Sequence, residues 1–429
     1  MEKQITKTRL ANGLQVQLKE IHSSPIISSW VWYRVGSRNE TPGITGISHW
    51  VEHMQFKGTR QFPQGVMDKI ISREGGMWNA FTFLDWTTFL ETMPADKIDI
   101  ALKLESDRMI NSVYDPAEVA SERTVIISER EGNENEPMFQ LGEAVQKTAF
   151  GSHPYHYEII GEMADLKTMQ RDDLYNYYKK YYNPSNAVLA IAGDFDTKQM
   201  LVKINGYFAD LPFAQPNTPT ITPEPLHSTG QFIEVSGPGE TVFVQIAYHA
   251  PEANHPDFFP FTVLDSLLTG PSGLNMFGGG GISNKTSRLY QKLVENQLAV
   301  GVHGGLSATI DPYLYETTLT IHPEHKPEEA ITAFDEEIDK VLQNLVTDAE
   351  IQRAIKQARA LFVYGAENIT NQGFWLGYSE MFADYTWFTE YLDRLSSVKP
   401  DDMLRVARKY LVQQNRVVGI YRPIATKGM

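Results

Sequence analysis

At roughly 100 to 200 residues per domain, a chain of 429 residues holds two to four domains with cores that need no staples. Its composition, 42% hydrophobic and 21% charged with 31 Gly and 23 Pro, excludes a disordered or collagen-like chain. A net charge of −15 has the wrong sign for nucleic-acid binding, and the lack of cysteine removes disulfides, thiolate metal sites and cysteine nucleophiles.

The start, Met1-Glu2-Lys3-Gln4-Ile5-Thr6-Lys7, has no apolar core of a signal peptide, and the longest apolar runs, such as Ala187 to Ala192, fall far short of a membrane span. The expectation is a soluble chain, cytoplasmic, or periplasmic if a signal peptide has been removed. Gly13-Leu-Gln-Val-Gln-Leu-Lys19 and Ile26-Ile-Ser-Ser-Trp-Val-Trp-Tyr33 alternate as two strands.

Next comes His49-Trp-Val-Glu52-His53. On a helix His49 and His53 are i and i+4, so both imidazoles leave one face about a turn apart, the spacing of two ligands of one tetrahedral zinc. Glu52 is three residues from His49, close enough to accept a proton from a metal-bound water. The alternative for these five residues alone is a solvated helix with two unrelated histidines. Further on, Gly75-Gly76 reads as a turn leading into a strand through Asn79-Ala80-Phe81-Thr82.

Asp115-Pro116-Ala117-Glu118 predicts a helix start, with Asp as cap, Pro at the first position and Glu at the third, and the helix should run through Glu129. Glu122 and Glu129 are seven apart, about 700° of rotation, so they project within about 20° of each other. A catalytic zinc takes a third protein ligand, and one of the pair can bind it while the other supports a ligating histidine. Ordinary surface glutamates are the alternative, in a segment that also holds Glu118, Glu131, Glu134 and Glu136.

Asp173-Leu-Tyr…Lys180-Tyr181…Asn186-Ala-Val188…Ile191 recurs as Asp402-Met-Leu…Lys409-Tyr410…Asn415-Arg-Val417…Ile420, a constant offset of 229, which predicts a duplicated domain closing on helix then strand. Chance similarity is the alternative. Between the copies, Pro212 to Pro225 carries five prolines in fourteen residues, which excludes helix and favours an extended linker. The expected organisation is an N-terminal domain over 1–211, a linker over 212–227 and a homologous C-terminal domain over 228–429. Strands mixed with helices in both halves give an α+β class.

Together Gly46-Ile-Ser-His49-Trp-Val-Glu52-His53-Met-Gln-Phe56-Lys-Gly58-Thr59, Gly75-Gly-Met-Trp-Asn79-Ala80-Phe-Thr82, Glu122-x6-Glu129, His153-Pro-Tyr155 and Ser287-Arg-Leu-Tyr290 resemble, over the whole chain, the inverzincin (M16) metallopeptidases related to insulysin, pitrilysin and the mitochondrial processing peptidase. The resemblance implies two homologous α+β domains of the processing-peptidase or LuxS-like metallohydrolase type, forming half of a chamber. It implies one Zn²⁺ per chain bound by His49, His53 and Glu129, Glu52 as general base toward a zinc-bound water, and Glu122 orienting a ligand. It also makes Asn79, Ala80, Phe81 and Thr82 an edge strand to which an extended peptide substrate adds; an ordinary core strand is the alternative for these residues alone.

One feature of the family is missing. Its active single-chain members hold the substrate carbonyl with an Arg and, seven residues later, a Tyr; following Ser287-Arg288-Leu-Tyr290 to Gln297-Leu298-Ala299, the matching positions are Leu293 and Val300. Neither donates a hydrogen bond, and each lost donor typically costs about 10²- to 10³-fold. Heterodimeric relatives divide this labour, so the expected partner is a homologous subunit lacking H-x-x-E-H and carrying the Arg and Tyr. The alternatives are that Arg288, Tyr290 or His303 has taken over, or that the alignment slips across the insertion Gly270 to Gly281, whose run Gly278–Gly281 suits a mobile lip as well as a plain loop. No Lys-Ser/Thr of a P-loop follows it directly, which argues against phosphate. The expected function is a zinc endopeptidase acting on short or unfolded peptides; the alternative is a non-catalytic structural or peptide-binding subunit of the same fold.

Overall fold

A computed structural model describes residues 5–215, 219–225, 228–271 and 283–424. The run Gly278–Gly281 lies outside the described residues. No helix among those described is long and apolar enough to cross a membrane.

The chain divides into two compact units. One takes in the described chain through Arg130, Tyr157–Ile221 and Glu367–Tyr385; the other takes in Glu131–His156, Thr222–Ala366 and the chain from Thr386 onward. Strands β1 (Thr6–Arg9), β2 (Gln15–Glu20), β3 (Ile26–Tyr33), β4 (Met77–Thr82), β5 (Thr87–Pro94) and β6 (Ala187–Gly193) form the sheet of the first unit, in the order β1-β2-β6-β3-β5-β4. β6 is buried along its whole length, which is why its sequence is a continuous apolar run rather than an alternating one. β4 pairs with β5 alone, with Thr82 opposite Thr87 and Ala80 opposite Phe89, so its other edge carries no strand in this sheet.

Helices α1 (Ile47–Met54), α2 (Val66–Arg73), α3 (Ile98–Asn111) and α4 (Pro116–Asn133) follow in the same half. The predicted strands correspond to β2 and β3, and the predicted capped helix is α4, four residues longer than expected.

In the second unit, β7 (Gln231–Pro238), β8 (Phe243–Ala250), β9 (Ala299–Leu306), β10 (Tyr313–Ile321) and β11 (Arg416–Ile424) form a sheet in the order β7-β11-β8-β10-β9. The duplication read from sequence has a structural counterpart. β6 lies parallel to β2 and antiparallel to β3, as β11 lies parallel to β7 and antiparallel to β8. The repeated asparagines do the same work: Asn186 Nδ2 donates to Tyr181 O (2.9 Å) and Arg34 O (3.3 Å), and Asn415 Nδ2 donates to Tyr410 O (3.0 Å) and His249 O (3.1 Å). Each ties the end of the preceding helix to the neighbouring strand.

The contact units depart from the sequence halves 1–211 and 228–429 in two segments. Helix α5 (Pro137–Ala149), from the first half, packs on β7, β8 and β11, where its buried Leu141 and Val145 lie against Gly419. Helix Ile369–Phe382, from the second half, packs on β3 and β6. Its Gly373 and Gly377 permit the approach: a Cβ on Gly373 would sit 2.6 Å from Trp30 Cδ1, and one on Gly377 2.1 Å from Trp32 Cδ1. Residues 212–215 and 219–225 form no helix or strand, as the prolines require. Glu224 accepts the N–H groups of Gly151, Ser152 and His153 at 2.8, 2.9 and 2.8 Å.

Candidate metal centre

Burial fixes how α1 is turned. Ile47, Trp50, Val51 and Met54, at i, i+3, i+4 and i+7, are buried, which leaves His49 and His53 together on the other side. The N-terminus of α1 is held by the buried Glu40 carboxylate, which accepts the N–H groups of Gly46 (2.7 Å) and Ser48 (2.8 Å). The α4 cap forms as its sequence requires, Asp115 Oδ1 accepting the Ala117 N–H at 2.8 Å, and the spacing of seven puts Glu122 and Glu129 on one side of the helix.

These two helices bring three donors together. His49 Nε2 lies 3.9 Å from Glu129 Oε1 and His53 Nε2 lies 3.8 Å from Glu129 Oε2. The ligand atoms of all three residues lie within 4.8 Å of one another, the one such group among the described residues. Tetrahedral zinc bonded at ~2.0 to 2.2 Å holds its ligands roughly 3.3 to 3.5 Å apart, so small side-chain rotations close this set, and two nitrogens with one carboxylate leave a fourth position open. The residues fit a zinc ion on a second count. Glu122 Oε1 lies 2.9 Å from His53 Nδ1, and since a carboxylate only accepts, Nδ1 carries the proton and Nε2 keeps its lone pair toward Glu129.

The charges around the site have separate causes. Burial, aided by the neighbouring His53 and opposed by Glu122, holds His49 down to about 3, so it is neutral and a lone-pair donor at neutral pH. Burial alone would also lower His53, but the Glu122 hydrogen bond and the carboxylates of Glu52, Glu122 and Glu129 outweigh it and raise the imidazole above its ordinary value. Burial pushes Glu52 up to about 7, against the pull of a hydrogen bond from Thr82 and of His53. Burial would raise Glu122 too, yet the bonds from His53 and the Lys57 ammonium hold it below the usual carboxylate range.

Sequence reasoning gave no role to Lys57, which forms an ion pair with Glu122 Oε2. Its only trace was its place one turn beyond His53. Nor did it assign a side-chain role to Thr82, whose Oγ1 donates to Glu52 Oε2 at 2.7 Å. The alternation of β4, with Trp78, Ala80 and Thr82 sharing a face, was the signal available. Asn79 Oδ1 accepts the Ala80 N–H at 2.9 Å, and Phe81 occupies the same alternate face as Asn79.

The remaining singled-out residues belong to the second unit. Leu293 is buried in the turn Tyr290–Val294, and Val300 is exposed on β9. Arg288 is engaged by Glu350 (2.8 Å) and Glu337 (3.5 Å). His153-Pro-Tyr155 is a packing motif there: His153 Nε2 lies 3.0 Å from Asp311 Oδ2, and Tyr155 packs on Phe150 and Tyr313.

Two histidines and a glutamate gathered beside a buried carboxylate, on a duplicated α+β scaffold, form a candidate metal centre. Family comparison agrees: the sequence model described as "Insulinase (Peptidase family M16)" matches residues 15–162, and that described as "Peptidase M16 inactive domain" matches 168–358. The chain is similar to "Zinc protease PqqE" of Helicobacter pylori, 28% identical over 438 residues that cover 96% of this chain and 92% of that protein. It is 26% identical over 431 residues to "Probable mitochondrial-processing peptidase subunit beta, mitochondrial" of Arabidopsis thaliana, covering 97% and 78%. The crystal structure of a protease from Helicobacter pylori superposes with a TM-score of 0.91 at 26% identity, covering 99% of this chain and 100% of that one. The chain belongs to peptidase family M16.

The Glu122 geometry carries an expected result. Glu122→Gln keeps the shape but weakens the acceptor for His53 Nδ1–H, and zinc affinity should fall roughly 10- to 100-fold without being abolished. Competition with a chromogenic chelator measures it. Complete loss of metal in Glu122→Gln beside full retention in Glu129→Gln would reverse the two roles.

Proposed function

We propose that this chain is the metal-bearing subunit of a zinc endopeptidase that cleaves short or unfolded peptides. The observation that carries the reading is the convergence of His49, His53 and Glu129 with Glu52 one residue before the second histidine. What a zinc ion held by those three residues supplies is Lewis acidity, which acidifies water and polarises a peptide carbonyl. Glu52 takes the proton of the attacking water and returns it to the leaving nitrogen, so no covalent intermediate is needed. An extended peptide adds to the open edge of β4 along Asn79–Thr82, where main-chain hydrogen bonds give affinity with little sequence preference.

The reading includes a homologous second subunit that supplies an Arg and a Tyr. Leu293 and Val300 cannot donate, Arg288 is tied to two carboxylates of its own unit, and one relative is itself named as a subunit. The missing donors also favour a second reading, a non-catalytic peptide-binding subunit of the same fold. The two separate in one experiment: the purified chain, alone and with a homologous subunit carrying the Arg and Tyr, is assayed on a quenched peptide beside light scattering on a sizing column. Expected are zinc binding with poor cleavage alone, a gain of about 10²-fold or more on mixing, and a complex of one copy of each subunit. Full activity as a monomer or homodimer would overturn the partner, and no cleavage in any mixture would overturn the peptidase.

A further inference from the structure

We infer that Thr82 is a positioning residue for Glu52, its hydroxyl tying the last residue of the open strand to the carboxylate beside the metal donors. The inference rests on the peptidase reading of the site and adds to it how substrate docking and proton transfer share one register.

The strand β4 is fastened at two points through one face. Near its start, Trp78 packs edge-on against Phe56, just beyond α1, with ring centroids 4.7 Å apart; at its end, Thr82 Oγ1 donates to Glu52 Oε2 at 2.7 Å. Ala80, between them on the same face, is buried. The direction of the Thr82 bond agrees with its neighbours. Thr87 Oγ1 lies 3.4 Å from Thr82 Oγ1 but gives its own proton to Val35 O at 2.9 Å. The Thr82 hydroxyl is thus free to give its proton to Glu52 Oε2.

The support is rigid where the base is not. Glu52 has three side-chain torsions, whereas Thr82 is β-branched and stiff at χ1, and its backbone is held in register opposite Thr87. A bond between the two converts the fixed strand into a fixed carboxylate, the kind of outer support a proton-transfer group needs. A peptide pairing along the free edge of β4 uses the backbone and leaves the Thr82 hydroxyl on the face. Removing that hydroxyl therefore acts on turnover and not on binding.

The test uses Thr82→Val, which keeps the shape and loses the donor, and Thr82→Ser, which keeps the donor, in the same assembly that cleaves peptide. Expected for Thr82→Val are wild-type zinc content, unchanged KM and a kcat lower by about 10- to 100-fold, the size of a lost bond to a charged group; Thr82→Ser should stay within about threefold of wild type. An unchanged kcat in Thr82→Val, an equal fall in Thr82→Ser, or a loss expressed in KM would overturn the inference while leaving the peptidase reading intact. A wild type that cleaves nothing defeats the reading first. Urea unfolding of Thr82→Val, Glu52→Ala and the double variant then decides Thr82 alone: coupling of about threefold or more in the unfolding constant supports the tie, and additive effects overturn it.

Discussion

Glu52→Gln should lower peptide cleavage by about 10²- to 10⁴-fold, the usual worth of a positioned general base, while zinc stays bound at the wild-type level. Gln fills the same space beside Thr82 and can still accept its hydrogen bond, so the fold and the donors His49, His53 and Glu129 are undisturbed. What it lacks is a basic oxygen. The buried carboxyl of Glu52, pushed up to about 7 by that burial, is suited to exchange a proton near neutral pH, and an amide has no such equilibrium. Turnover on a quenched peptide and zinc by elemental analysis, run on one preparation of the active assembly, check both halves. Wild-type turnover in Glu52→Gln would contradict the assignment of the base.

Arg108→Met should destabilise the first unit by about 3 to 5 kcal/mol, the usual cost of stripping the partner from buried charges. Arg108 on α3 is buried against Glu91 of β5 and Glu105, with Nη2 3.2 Å from Glu91 Oε1 and Nε 3.0 Å from Glu105 Oε2, and its guanidinium sits 4.1 Å from the Phe89 ring centre. Burial, reinforced by Glu105, already holds Glu91 well above the carboxylate range. Without the arginine, the one neighbour that opposes this rise, the Glu91 carboxyl is favoured still more in the protonated form. A folded-state pKa raised above the unfolded value gives stability that is present at low pH and lost as pH rises, so the deficit of Arg108→Met should be smaller at pH 5 than at pH 8. Urea unfolding at the two pH values measures it. A loss below about 1 kcal/mol at both would contradict the account of this cluster.

The legible parts of the site were those set by one helix. His49, Glu52 and His53 share a turn, Glu122 and Glu129 share two, and Asp115-Pro116 marks where the second helix begins, so local periodicity sufficed to bring the candidate ligands to two faces. The duplication was legible because Asn186 and Asn415 serve the same helix-to-strand turn and recur at a fixed offset. Long-range choices left weaker traces. An amphipathic helix does not state which sheet it covers, so the exchange of Pro137–Ala149 and Ile369–Phe382 between units was hidden, though Gly373 and Gly377, four apart, were the mark of a close approach to tryptophan. Glu91 and Glu105 read like any of the chain's acidic residues until Arg108 is placed between them. Lys57 carried no role in its motif and Thr82 only a main-chain one, because each side chain acts on a carboxylate that is distant in sequence.

The most direct test of the metal centre is zinc per chain, measured by elemental analysis on wild type, His49→Ala and Glu129→Ala purified identically and shown to be folded. One zinc per wild-type chain and little or none in either variant is the predicted result. A wild type that holds no zinc after equilibration with the metal, or a folded His49→Ala that keeps a full equivalent, would contradict it.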